Sequence, residues 1–105
     1  DGMRLAAAGA ARQWFVLEPG AQEPLLRGHG HNDTVYRVAF NPAGNRLATV
    51  DFSGGLCIWD ANDGRLLFHQ QLPATTVWSL AYTPDGRELA VGTQDPRLIV
   101  LSIPQ

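Results

Sequence analysis

The stretch GHNDTVYRVAFNPAGNRLATVDFSGGLCIWD, residues 30–60, decides the fold. Its centre holds VYRVAF (35–40), a run of β-branched and aromatic residues that suits a pleated, half-buried strand. NPAGN (41–45) follows, with Pro and Gly where a tight turn needs a preset φ and a left-handed residue. RLATVD (46–51) reads as a second strand, SGG (53–55) as a turn and LCIWD (56–60) as a third strand. Beyond it, ANDG (61–64) is another turn and RLLFHQ (65–70) a fourth strand.

Outward from this stretch the chain repeats itself. A shift of 42 residues brings the hydrophobic positions into register without a gap. Leu5, Leu47 and Leu89 align, each followed by Ala, and Gly2, Gly44 and Gly86 align in the turn before them. Val35 meets Val77, Ala39 meets Ala81, Phe40 meets Tyr82, Leu25 meets Leu67, and Leu56 meets Leu98. The repeat predicts strands over 77–82, 88–93 and 98–102 downstream, and over 4–9, 12–18 and 24–28 upstream. No stretch of useful length carries apolar residues at helical spacing. The expectation is an all-β chain of ten strands, four to a period, which is the blade of a propeller. Trp14 aligns with Leu56 and Leu98, so it is expected in the core.

Gly30-His31 is followed, after 27 intervening residues, by Trp59-Asp60. With these dipeptides and the turn between them, residues 30–60 resemble the WD-repeat family of β-propellers. The other copies are diverged: the first has Leu17-Glu18 in place of Trp-Asp, and the third has Leu72-Pro73 for Gly-His and Leu101-Ser102 for Trp-Asp. The resemblance implies a propeller fragment of four-stranded antiparallel blades. Residues 1–29 would be a partial blade (strands two to four), 30–71 a complete blade, and 72–105 a last blade lacking its fourth strand. A closed ring needs at least about four blades, on the order of 170 residues. The expectation is therefore the C-terminal part of a larger propeller. The rest would lie on another polypeptide, or be built by further copies of this chain.

Composition narrows the function classes. The chain has 105 residues, 45% of them hydrophobic, with a net charge of −2. All eight basic residues are Arg and they are scattered, so no electrostatic footprint for nucleic acid is present. No apolar run approaches the roughly 20 residues of a membrane-spanning helix. No basic start followed by an apolar stretch marks a leader, and the compartment expected is the cytoplasm. The single Cys57 excludes an internal disulfide or a multi-cysteine zinc site, and its strand position predicts an inert, buried thiol.

The resemblance also assigns roles. A WD blade is braced by a buried network of His before strand one, Ser or Thr ending strand two, Asp in the next turn and Trp in strand three. The matching residues are His31, Asp51, Ser53 and Trp59, with the Ser/Thr and Asp slots exchanged. The third copy keeps only Thr93 and Asp95, and the first has Gly9 and Ala11 there. These residue types also compose a hydrolytic triad, but the brace accounts for them, and no G-x-S-x-G elbow is present. His29, His31 and Asp33 alternate like metal ligands but fall in a loop, with His31 already taken by the brace. DANDGR (60–65) is one residue short of a calcium loop and reads as a turn. No catalytic residue, metal or cofactor is therefore expected.

On the face that WD propellers present to partners, the corresponding residues are Thr34, Tyr36, Phe52, Thr76, Trp78 and Gln94. Tyr36, Phe52 and Trp78 are the aromatic anchors, the residue types that dominate many interfaces. The function expected is a non-catalytic scaffold for a protein or peptide. The alternative is a sensory or regulatory propeller attached to an enzyme whose catalytic domain lies elsewhere.

Overall fold

The computed structural model describes residues 4–9, 12–31, 33–73, 76–94 and 98–103. Among them lie ten strands: β1 (Leu5–Gly9), β2 (Gln13–Leu17), β3 (Leu26–Gly28), β4 (Val35–Phe40), β5 (Arg46–Asp51), β6 (Gly55–Asp60), β7 (Leu66–Gln71), β8 (Val77–Tyr82), β9 (Glu88–Thr93) and β10 (Leu98–Ser102). They form three antiparallel sheets in chain order, β1-β2-β3, β4-β5-β6-β7 and β8-β9-β10. No helix occurs among the described residues.

The turns that start the hairpins repeat with the sequence. Gly44 and Gly86 both hold a left-handed φ, at 77° and 74°, which only glycine adopts without steric cost. Before Gly44 the Asn41 side-chain oxygen accepts the Asn45 and Arg46 N–H groups, both at 3.0 Å. Before Gly86 the work is shared: the Glu88 N–H donates to the Thr83 hydroxyl and the Arg87 N–H to the Asp85 carboxylate.

The sheets stack face to face, and strand alternation decides which residues meet. The first sheet turns Ala6, Trp14, Val16 and Leu26 onto Val35, Leu47, Cys57 and Trp59 of the second. The opposite face of the second sheet, with Ala48, Val50, Leu56 and Ile58, packs on Leu89, Val91, Leu80, Tyr82, Ile99 and Leu101 of the third. One close approach fixes a glycine: a Cβ on Gly28 would stand 1.7 Å from Trp14 Cε2, so the indole lies directly over that backbone.

Both outer faces remain open. Leu5 is exposed on the first sheet, while Leu98 and Val100 on the third are 68% and 49% exposed. Leu98 pairs with Gly92 and Val100 with Ala90. In the 42-residue repeat these four residues correspond to Leu56, Val50, Ile58 and Ala48. The open face of the third sheet is thus the counterpart of the one by which the second sheet holds the third.

Candidate functional site

At one end of the second sheet a buried polar chain ties the loop before β4 to the turn after β5. The Trp59 indole N–H donates to Thr49 Oγ1 at 2.7 Å, and Thr49 Oγ1 lies 2.5 Å from His31 Nε2. His31 Nδ1 lies 2.8 Å from Asp51 Oδ2. A carboxylate only accepts and an indole only donates. The carboxylate thus takes its hydrogen bond from His31 Nδ1–H, and the Thr49 hydroxyl takes one from the indole. Asp51 Oδ1 accepts from the Ser53 hydroxyl at 2.5 Å, the Ser53 N–H at 2.9 Å and the Gly55 N–H at 3.0 Å. Burial pushes the Asp51 carboxyl up, but the bonds from Ser53, His31 and Gly55 outweigh it and hold the group below its ordinary value.

The hydroxyl in this chain belongs to Thr49, which the sequence reading does not place in the brace. That reading puts the Ser/Thr slot at the end of the second strand, on Asp51. Thr49 and Asp51 share a face of β5, and Thr49 pairs with Cys57, two residues from Trp59. A lone polar side chain between Ala48 and Val50, at a period-two position that must be buried, was the available signal. In the third sheet the corresponding position is the buried Val91, and a partly buried Leu101 stands where the second has Trp59. Polar partners are absent together there, which avoids stranding either one. Thr93 is buried in the third sheet, and Asp95 lies outside the described residues.

The geometry also orders the groups wrongly for a triad. Ser53 donates to the carboxylate rather than to His31, whose two ring nitrogens face Thr49 and Asp51. Nor do His29, His31 and Asp33 converge. His29 Nδ1 is 3.5 Å from Gln13 Nε2, and Asp33 caps the Thr34 N–H at 2.7 Å. Among the described residues no three His, Cys, Asp or Glu side chains are arranged to hold a metal ion. In the DANDGR turn the Asp60 carboxylate accepts the Asn62 N–H at 2.8 Å. Burial, helped by the Asp51 charge, pushes the Cys57 thiol up to about 12.

The braced loop and turn carry the residues expected to face a partner. Register shifts between Val35 and Arg37, and between Val77 and Ser79, leave Tyr36 and Trp78 as extra residues in their strands. Such a bulge re-aims the side chain it carries. The Tyr36 ring stacks on Phe52, centroids 4.3 Å apart and planes within 5°. Its hydroxyl accepts the Val77 N–H at 2.6 Å, which joins the second sheet to the third. Arg37 lies 5.5 Å over the Tyr36 ring and donates from Nε to the Trp78 carbonyl at 3.2 Å. The Phe52 N–H donates to the Thr34 carbonyl and the Gln94 N–H to the Thr76 carbonyl, in matching places. Phe52 and Trp78 remain 60% and 59% exposed, Thr34 and Gln94 are exposed, and Thr76 is half-buried. Arg37 is the member of this rim that the sequence reading omits.

Comparison with known proteins agrees with this architecture. The family model "WD domain, G-beta repeat" matches residues 22–60 and 64–100. Bovine (Bos taurus) coronin-7 is 34% identical over 106 residues, covering 93% of this chain and 12% of that protein. THO complex subunit 3 of Arabidopsis thaliana is 29% identical over 108 residues, covering 98% of this chain and 34% of that protein. The chain thus spans only a fraction of the curated relatives it matches. Among solved structures, Kluyveromyces lactis Hsv2 superposes with a TM-score of 0.76 at 22% identity, covering 90% of this chain and 32% of that one. Stacked antiparallel blades, a 42-residue period and two matched repeats lead to one assignment: the chain belongs to the WD-repeat family of β-propellers, whose members generally serve as protein-interaction scaffolds.

Proposed function

We propose that this chain is a section of a non-catalytic scaffold that binds a protein or peptide at the Tyr36–Phe52–Trp78 rim. The remaining blades of its ring would lie outside these residues. One observation carries the reading: two large aromatics, Phe52 and Trp78, are more than half exposed at the same end of adjacent blades while their backbones are held by hydrogen bonds. Tyr36 clamps the two blades together, and the His31–Asp51 brace fixes the turn that carries Phe52. Exposed aromatics on fixed mounts lose little freedom when a partner covers them, which favours binding. The open outer faces and the ten strands among the described residues, against the sixteen or so of a four-bladed ring, support completion by further blades.

A photoreactive phenylalanine analogue at position 52 in the native assembly is expected to cross-link the bound partner. With that partner identified, Phe52→Ala and Trp78→Ala should each weaken it at least about tenfold, roughly 1.4 kcal/mol. Leu66→Ala on the outer strand β7 should leave it unchanged. Equal affinity for all three variants would refute the rim as the binding surface.

A further inference from the structure

We propose that Glu88 selects what docks on the open face of the third sheet: a further blade of this repeat that brings an arginine or lysine side chain to the Glu88 carboxylate. This rests on the reading that further blades complete the ring.

The internal junctions supply the rule that Glu88 breaks. Arg4, just before β1, crosses from the first sheet to the second. Its Nη2 donates to the Gly44 carbonyl at 2.5 Å and its Nη1 to the Ala61 carbonyl at 3.1 Å. The same guanidinium lies 5.7 Å over the Phe40 ring, which ends β4. Forty-two residues on, Arg46 opens β5 on the face turned toward the third sheet. It pairs with Asp60 at 3.9 Å, and its charge acts on Tyr82, the counterpart of Phe40. At the first junction a cation thus lies over the ring that ends the first strand of the next blade, and at the second Arg46 holds the corresponding position on the face turned to the third sheet. Carbonyl oxygens and the face of an aromatic ring are both negative, and a guanidinium suits both.

A further 42 residues on, the position is Glu88. It shares the open face of β9 with Ala90 and Gly92, and its cross-strand neighbour is Ser102, where Arg46 has Asp60. Glu88 is half-buried as a residue, and among the described residues its carboxylate has neither a hydrogen bond nor an ion pair. It lines an open cleft with Asp85, Arg87, Ser102 and Ile103. Asp85 is already engaged by the Thr83 hydroxyl and the Arg87 N–H. A blade built like the second or third would bring an aromatic face and bare turn carbonyls against Glu88. It would strip water from a carboxylate and offer only negative partners, which is strongly unfavourable. A blade with a cationic side chain at that place gains a charge-assisted contact instead. Glu88 thus admits one class of neighbour and rejects copies of the blades beside it, as specificity built partly on repulsion requires.

The test is the structure of the assembly purified from its source, together with Glu88→Gln and Glu88→Arg in the same assembly. The expected result is an arginine or lysine nitrogen within about 4 Å of Glu88, the distance of a salt bridge. Glu88→Arg should weaken docking of that blade more than tenfold and Glu88→Gln less, and exchanging the cation for Glu should restore the Glu88→Arg variant. A docked blade with no cation at Glu88, or full tolerance of Glu88→Arg, would overturn the selection while leaving ring completion intact. An assembly in which no blade covers the third sheet would overturn ring completion, and the selection with it.

Discussion

Thr49→Val removes one oxygen at nearly constant volume and strands two buried groups. The Trp59 N–H loses its acceptor at 2.7 Å, and His31 Nε2 loses its neighbour at 2.5 Å. Each orphaned buried group costs about 1–3 kcal/mol, so the substitution should destabilise by about 2–6 kcal/mol. That is a large part of the roughly 5–15 kcal/mol of a typical domain. Thr49→Ser keeps the hydroxyl and loses one buried methyl, about 1 kcal/mol. The third blade supplies the internal control, because its Val91 and Leu101 occupy the same two positions without polar atoms. Thr49→Val combined with Trp59→Leu copies that pair into the second blade. It should cost clearly less than the sum of the two single changes, by about 0.5–3 kcal/mol of coupling. Urea unfolding of the assembly, followed by tryptophan fluorescence and circular dichroism, measures the parent and all four variants. If Thr49→Val unfolds within 0.5 kcal/mol of the parent, a value small beside the cost of one stranded group, the brace contributes nothing and the reasoning fails.

Gly28→Ala would place a methyl 1.7 Å from Trp14 Cε2, so the indole must leave its seat against Trp59. The expected loss is about 1–3 kcal/mol or more, read as a fall in Tm. Asp51 gives an acid dependence of fixed sign. Its folded value lies below the ordinary 3.8, so its contribution is complete above that pH and disappears as the pH falls through the folded value. Below about pH 4, where unfolded carboxyls begin to take up protons, an acid titration should show the parent losing stability more steeply than Asp51→Asn. With the Cys57 thiol pushed up to about 12, iodoacetamide at pH 8 should leave the native protein unmodified and alkylate it promptly in denaturant. Rapid alkylation of the native form would contradict the burial of β6.

Much of the fold was legible because the turn chemistry and the alternation repeat together. The expected bounds of β4, β5, β8, β9 and β10 coincide with the observed ones. The fourth strand of the first blade was read too long, as 24–28, whereas β3 spans Leu26–Gly28. Pro24 cannot donate to a ladder, and Leu25 contributes only the bond from its N–H to the Val16 carbonyl. Gly55 was read as turn but belongs to β6, where it pairs with Gln71.

The site was legible in part. His31, Trp59 and the aromatic positions followed from the resemblance to the WD-repeat family, but which of Thr49, Asp51 and Ser53 meets the imidazole depends on distances across three strands. Arg37 and Arg4 act through backbone carbonyls of other blades, so nothing in their own neighbourhood in the chain marks them. The reversal of charge at Glu88 is plain in the 42-residue alignment, yet it acquires meaning only once Arg4 is seen crossing a junction.

Native mass spectrometry of the protein as isolated from its source tests the central claim most directly. The account predicts this sequence within a particle that holds further blades, at least about 170 residues of propeller in all. Peptide mapping of that particle would tell whether the added blades lie on a partner polypeptide. A stable, lone species of 11.4 kDa, with Leu98 and Val100 left in water, would contradict it.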